Sequence, residues 1–109
     1  MTIQELIDQQ MDYFIGKLIS NNQLSHEKVI ELSSNIVAYL IRNRHIQNKK
    51  IAAEEINLVL QSLADFLNTN FENQFNAEDF ISIKDKSLGL LKNPSFDQEI
   101  KEYFKTFYP

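Results

Sequence analysis

The 109-residue chain has no cysteine and no tryptophan, and only two glycines and two prolines. Without cysteine there is no disulfide framework, no thiolate nucleophile and no Cys-ligated zinc or iron–sulfur centre. Glycine is too scarce for a phosphate-cradling loop. Gly16 and Gly89 stand alone inside helical patterns, where glycine commonly permits close helix–helix approach, and that is the role expected of them. Long apolar runs are missing too. The longest, Ile36 to Ile41, has six residues, against the roughly 20 a membrane span requires. The N-terminus has neither a basic n-region nor an apolar h-region, so a cytoplasmic protein without a membrane span is expected. Positive charge is in the minority. Eleven Lys and Arg against 15 Asp and Glu leave a net charge of −4, which counts against a general nucleic-acid binder.

What is present is a helical period. Apolar residues are 43% of the chain, eight of them phenylalanine, enough to order it. The length suits one domain. Asparagine and glutamine are frequent but scattered, so they form no low-complexity tract. Ile3, Leu6, Ile7, Met11, Phe14 and Leu18 recur at three- and four-residue steps, predicting a helix over 2–20. Thr2 and Glu5 have capping-box spacing at its start. Asn21-Asn22 supplies a stop, because asparagine tolerates the left-handed conformation. A second helix is predicted over 26–43 with Ser25 as N-cap, and a third over 52–68 with Ile56, Val59, Leu60, Leu63 and Leu67 inward. A fourth helix is predicted over 77–92, the least regular of the five, with Ser82, Ser87 and Gly89 weakening it and leaving room for a break near 84–86. Asn93-Pro94 ends it. A last helix over 96–107, capped by Ser95 with Gln98, carries a nearly all-aromatic stripe. Strand and hairpin signals are nearly absent. The fold class is all-α, an antiparallel bundle of four to five helices in a single domain.

The apolar faces are wide. In the second helix they spread over about 200°, where a surface helix needs little more than 100°. Ile51 and Leu58 project behind the main stripe of the third. Either the first three helices are central in the bundle, or part of this surface docks a partner or a second copy. Tyr39, Leu58, Tyr103, Phe104 and Phe107 are the residues expected at such an interface. The aromatic final helix can dock on its own core or act as an arm in another chain's groove.

Signals for chemistry are weak. His26 and His45 are the only histidines, and no H-x-x-x-H, H-E-x-x-H or G-x-S-x-G pattern occurs. No nucleophile–base pairing is legible, so a non-enzymatic protein is expected, with no cofactor, no metal and no small-molecule substrate. Asn68, Asn70, Glu72, Asn76 and Asp79 fall at ligand positions of a twelve-residue calcium-loop frame. However, Asn73 occupies the glycine position and the last ligand is Asp instead of Glu. The acidic pairs Glu27/Glu31 and Asp8/Asp12 read as solvated faces. Between Glu31 and Glu54 the only fixed charges are Arg42, Arg44, Lys49 and Lys50, with His45 among them. This polar stretch reads as an inter-helix loop and a small anion-binding or partner-steering patch. The function these features point to is a protein–protein interaction or regulatory module that self-associates or binds a partner through apolar helix surface. The alternatives are an immunity-type or antitoxin protein neutralising a toxin or bacteriocin, and a nucleic-acid-associated regulator using the 42–50 loop.

Overall fold

The structure, a computed structural model, describes residues 2–45, 53–72 and 74–108. Its first helix, α1 (Ile3–Ser20), begins where the Thr2 hydroxyl accepts the Glu5 backbone N–H at 3.1 Å. It ends in a Schellman motif. Asn22 takes a φ of 57°, its N–H bonds to the Ile19 carbonyl, and the Gln23 N–H bonds to the Leu18 carbonyl. Asparagine is one of the few side chains that tolerate that left-handed step. The chain reverses there into α2 (His26–His45), whose first turn is capped by Ser25 Oγ accepting the Lys28 N–H. Then follow α3 (Ala53–Asn70), α4 (Ala77–Lys92) and α5 (Phe96–Lys105). Among the described residues there is no strand. The bundle has a radius of gyration of 13.4 Å, close to the ~13 Å of a folded 100-residue domain.

Helix α2 is the hub. From Val29 to Ile41 every residue is buried except Glu31 and the half-buried Tyr39. Its wide apolar arc therefore belongs to a central helix, enclosed by α1, α3 and α4. The heaviest packing joins helices that are not sequence neighbours and that run in the same direction. His26 meets Asp79 and Ser34 meets Ser87, both 53 residues apart, so α2 and α4 run parallel. Gln4 Nε2 donates to the Ser62 carbonyl at 3.0 Å, tying α1 to α3. Consecutive helices reverse, as expected of an antiparallel bundle, yet the principal seams lie between the parallel pairs.

The α2–α4 seam is close because its side chains are small. The Ser87 hydroxyl lies 2.6 Å from the Ile83 carbonyl and 3.2 Å from the Ser34 carbonyl across the seam. Ser34 Oγ donates to its own helix at Ile30. Ser33 is fully buried and its hydroxyl has no partner among the described residues.

Four expectations are corrected. Helix α4 shows no break at 84–86. The Asn76/Asp79 capping box starts it firmly, and Ser87 bonds back within the helix instead of opening it. Ser95 makes no side-chain cap. Asn93 Oδ1 accepts the Ser95 N–H instead, in a turn set by Asn93-Pro94. The second helix runs on through His45, two residues past its predicted end at 43. Finally, neither glycine serves close helix packing. Apart from its own helical turn, nothing among the described residues lies within 4 Å of where a Cβ would stand at Gly16 or Gly89. The expected start of α3 at Ala52, and Ile51, lie outside the described residues.

Two stability outcomes follow. Leu63 is 1% exposed in the middle of α3. Leu63→Ala should cost about 2–5 kcal/mol in urea denaturation, and a cost below about 0.5 kcal/mol would show that the α3 core face is misassigned. Gly16→Ala should instead raise stability by about 0.5–1 kcal/mol, because the site is helical, exposed and open. A loss would mean that the glycine answers an intramolecular need.

Candidate interaction surfaces

The aromatic stripe of α5 is spent within the chain. Phe104 and Phe107 each bring a ring to 4.9 Å from Phe14 on α1, and Phe104 meets Tyr39 on α2 at 5.7 Å. Tyr103 stands edge-on to both phenylalanines, at 5.4 and 5.5 Å. Such tilted and edge-to-face contacts are favourable ring geometries. The structure thus gathers Tyr39, Tyr103, Phe104 and Phe107 into one cluster, Phe107 buried and the others half-buried. Leu58 does not join them. It stands on α3, 51% exposed.

Burial pushes the Tyr103 phenol well above its ordinary value of 10.0, and the Glu31 carboxylate adds to the shift. At the opposite end, Asp79 is held below its usual 3.8, first by the Asn76 backbone N–H at 2.9 Å and then by the His26 ring at 3.1 Å. The contribution of that lowered carboxylate is present above 3.8 and lost as pH falls through the lower folded value. His26 also stacks on Phe75 at 4.6 Å. The calcium frame is not a loop here, since α3 runs to Asn70 and Asn76 and Asp79 cap α4. Asn73 lies outside the described residues. Among the described residues no group of three or more His, Asp or Glu is placed to hold a metal ion.

The basic patch is described only in part. Arg42 turns to α5, with Nη2 3.6 Å from Asp97 and its guanidinium 5.5 Å from the Phe96 ring centre. Both ions are exposed, so the pair contributes little. Arg44 and His45 belong to the last turn of α2. Lys49 and Lys50 lie outside the described residues.

Three open grooves follow the seams. The α3–α4 groove, about 430 Å³, is mainly apolar, with Leu60, Leu63, Phe80, Ile81 and Ile83 on its walls and Ile81 59% exposed. The α2–α4 cleft is larger, about 750 Å³, and polar. Glu27, Glu31 and Asn35 form one wall, and Lys86, Gly89 and Asn93 the other. Between α1 and α3, Asp8, Asp12 and Asp65 border about 310 Å³. The acidic pairs read from sequence as solvated faces therefore border clefts. A further exposed feature is Tyr13 with Tyr108, 6.3 Å apart, with Lys17 Nζ 5.5 Å from both ring centres. Tyr108 follows the last helix, so no periodicity in the sequence links it to Tyr13. No helix among the described residues is long and apolar enough to cross a membrane.

No family model matches this chain, and neither a curated protein nor a solved structure shows significant similarity to it.

The raised Tyr103 value has a measurable sign. The folded state keeps the phenol neutral while the unfolded chain ionises, so its contribution is whole below about pH 10 and declines above it. Denaturation midpoints should fall between about pH 9 and 11 in the wild type and fall less in Tyr103→Phe. Identical slopes would show that the phenol ionises as freely as in water.

Proposed function

We propose that this chain is a non-enzymatic protein-interaction module that binds a folded surface, its own copy or another protein, through apolar helix surface left uncovered on α3 and α4. The supporting observation is Ile81, 59% exposed on the wall of the apolar α3–α4 groove. Leu58, 51% exposed on α3, adds to it. Contiguous apolar surface on a small domain is the kind that partners bind, and the groove beside Ile81 supplies it. The aromatic residues Tyr39, Tyr103, Phe104 and Phe107 support the module from within, by fastening α5 to the core. They enter the interface only where their half-exposed edges reach solvent.

The neutralising reading, an immunity-type or antitoxin protein, is a special case of the same binding. Its support is the charge of −4 and the carboxylates bordering two clefts, which suit a basic target. The nucleic-acid-associated reading would use the basic residues of 42–50, of which Arg42 stands beside Asp97 in an exposed pair.

The direct test is sedimentation velocity across a wide concentration range, on wild type and on Ile81→Ser and Leu58→Ser. The reading expects mass to rise with concentration and both variants to shift toward monomer with unchanged helicity. A wild type that stays monomeric at every concentration overturns self-association, and unchanged self-interaction and solubility in both variants would show that Ile81 and Leu58 do not form the binding face.

A further inference from the structure

Tyr13 and Tyr108 form a pair that the core does not require. On the inner side Phe107, 6% exposed, brings its ring to 4.9 Å from Phe14. The Tyr108 N–H bonds back to the Lys105 carbonyl at 3.0 Å and closes the turn after α5. The residue beside each of these phenylalanines is a tyrosine, so the buried contact positions the exposed one. The Tyr13 and Tyr108 ring centres stand 6.3 Å apart, their planes tilted by 35°. Lys17 Nζ lies 5.5 Å from each centre and bridges the two rings. The neighbouring Tyr13 hydroxyl raises the Tyr108 phenol above its ordinary value, so the two hydroxyl edges lie together. Both rings are open to solvent, 46% and 51% exposed. Neither lines the α3–α4 groove.

The composition of the chain directs a one-electron oxidant to this pair. Cysteine and tryptophan, which compete with tyrosine for an oxidising equivalent, are absent. Met11 is 0% exposed, and oxidation of such side chains follows their exposure. The other two tyrosines, Tyr39 and Tyr103, are half-buried and meet phenylalanine rings, not each other. Among the described residues Tyr13 and Tyr108 are the one tyrosine pair in ring contact.

We infer that Tyr13 and Tyr108 are an oxidative modification site, at which a peroxidase using hydrogen peroxide joins the two rings as dityrosine and staples the turn after α5 to α1. Each phenol gives one electron and one proton to the oxidant. The two phenoxyl radicals then form a carbon–carbon bond between ring positions ortho to the hydroxyls. The hydrogens on those carbons leave as protons when the rings regain aromaticity, and the oxygens are protonated again. The net change reduces one hydrogen peroxide, with cleavage of its O–O bond, to two waters. A link between positions 13 and 108 closes nearly the whole chain into one loop. Restriction of the unfolded state in this way is how a disulfide is held to stabilise a fold. In a chain without cysteine the tyrosine pair supplies that covalent device.

The test is treatment of the dilute full chain with a haem peroxidase and hydrogen peroxide. The expected product is a monomer with blue dityrosine fluorescence, lighter by two hydrogens for each link, in which the tryptic fragments 1–17 and 106–109 travel as one. Tyr13→Phe and Tyr108→Phe should each abolish it. Tyr39→Phe/Tyr103→Phe should leave the yield unchanged. In denaturing urea, which parts the rings, the intramolecular product should be lost. The linked chain should unfold at a higher urea concentration than the unlinked one. Circular dichroism checks that each variant is folded, and the mapped fragments decide the site if the double variant fails that check. Several results overturn the proposal: no link in the wild type, a link through Tyr39 or Tyr103, chain-to-chain products alone, or an equal yield in urea. An unchanged urea midpoint after linkage would overturn the stapling role.

Discussion

The fold depends on enclosing α2 around nearly its whole circumference. A helix with a single apolar stripe needs one neighbour, whereas α2, buried from Val29 to Ile41 apart from Glu31 and Tyr39, needs several. That requirement sets the arrangement. Helices α1 and α3 cover one side of it, α4 closes the other, and α5 with its aromatic tail fills the remaining corner against Phe14 and Tyr39. The hydrophobic effect supplies the drive, and side-chain size decides the seams. Serine at 34 and 87 lets two backbones approach until a hydroxyl of one reaches a carbonyl of the other. A larger side chain at either position would force the helices apart.

The grooves arise from the same packing. A central helix lying between α3 and α4 leaves those two incompletely packed on one another, with an apolar channel where they flank α2. The polar cleft lies on the outer side of the α2–α4 seam, where Glu31, the exposed residue in the otherwise enclosed stretch of α2, turns outward. Burial and exposure along α2 are therefore two results of one register.

Much of this was legible in the sequence. Helix count and class came from the three-to-four-residue period. The stop at Asn21-Asn22 and the caps at Thr2, Ser25 and Asn76 all have local chemical signatures. Local signatures also misled. Ser95 has an acceptor at the right offset but is held in a turn by Asn93, and the serines and glycine of α4 suggested a break that tertiary packing overrides. The parallel seams were not legible, because nothing in a periodic pattern says which non-adjacent helices meet. The roles of Gly16 and Gly89 stayed hidden for the same reason: whether a glycine touches a neighbour depends on residues far away in sequence. Leu58 stood out because it lies behind its stripe.

The seam contacts at His26–Asp79 and Ser34–Ser87 link positions 53 residues apart, and Gln4–Ser62 links positions 58 apart. A helical bundle stitched mainly between consecutive helices can assemble hairpin by hairpin, with short loop closures. Here the decisive closures are long, so folding should be slow for an all-helical chain of this size. During synthesis α2 would emerge with only α1 able to cover it, and its α4 face would stay wet until α4 followed, so the nascent chain would be most prone to aggregate in that interval.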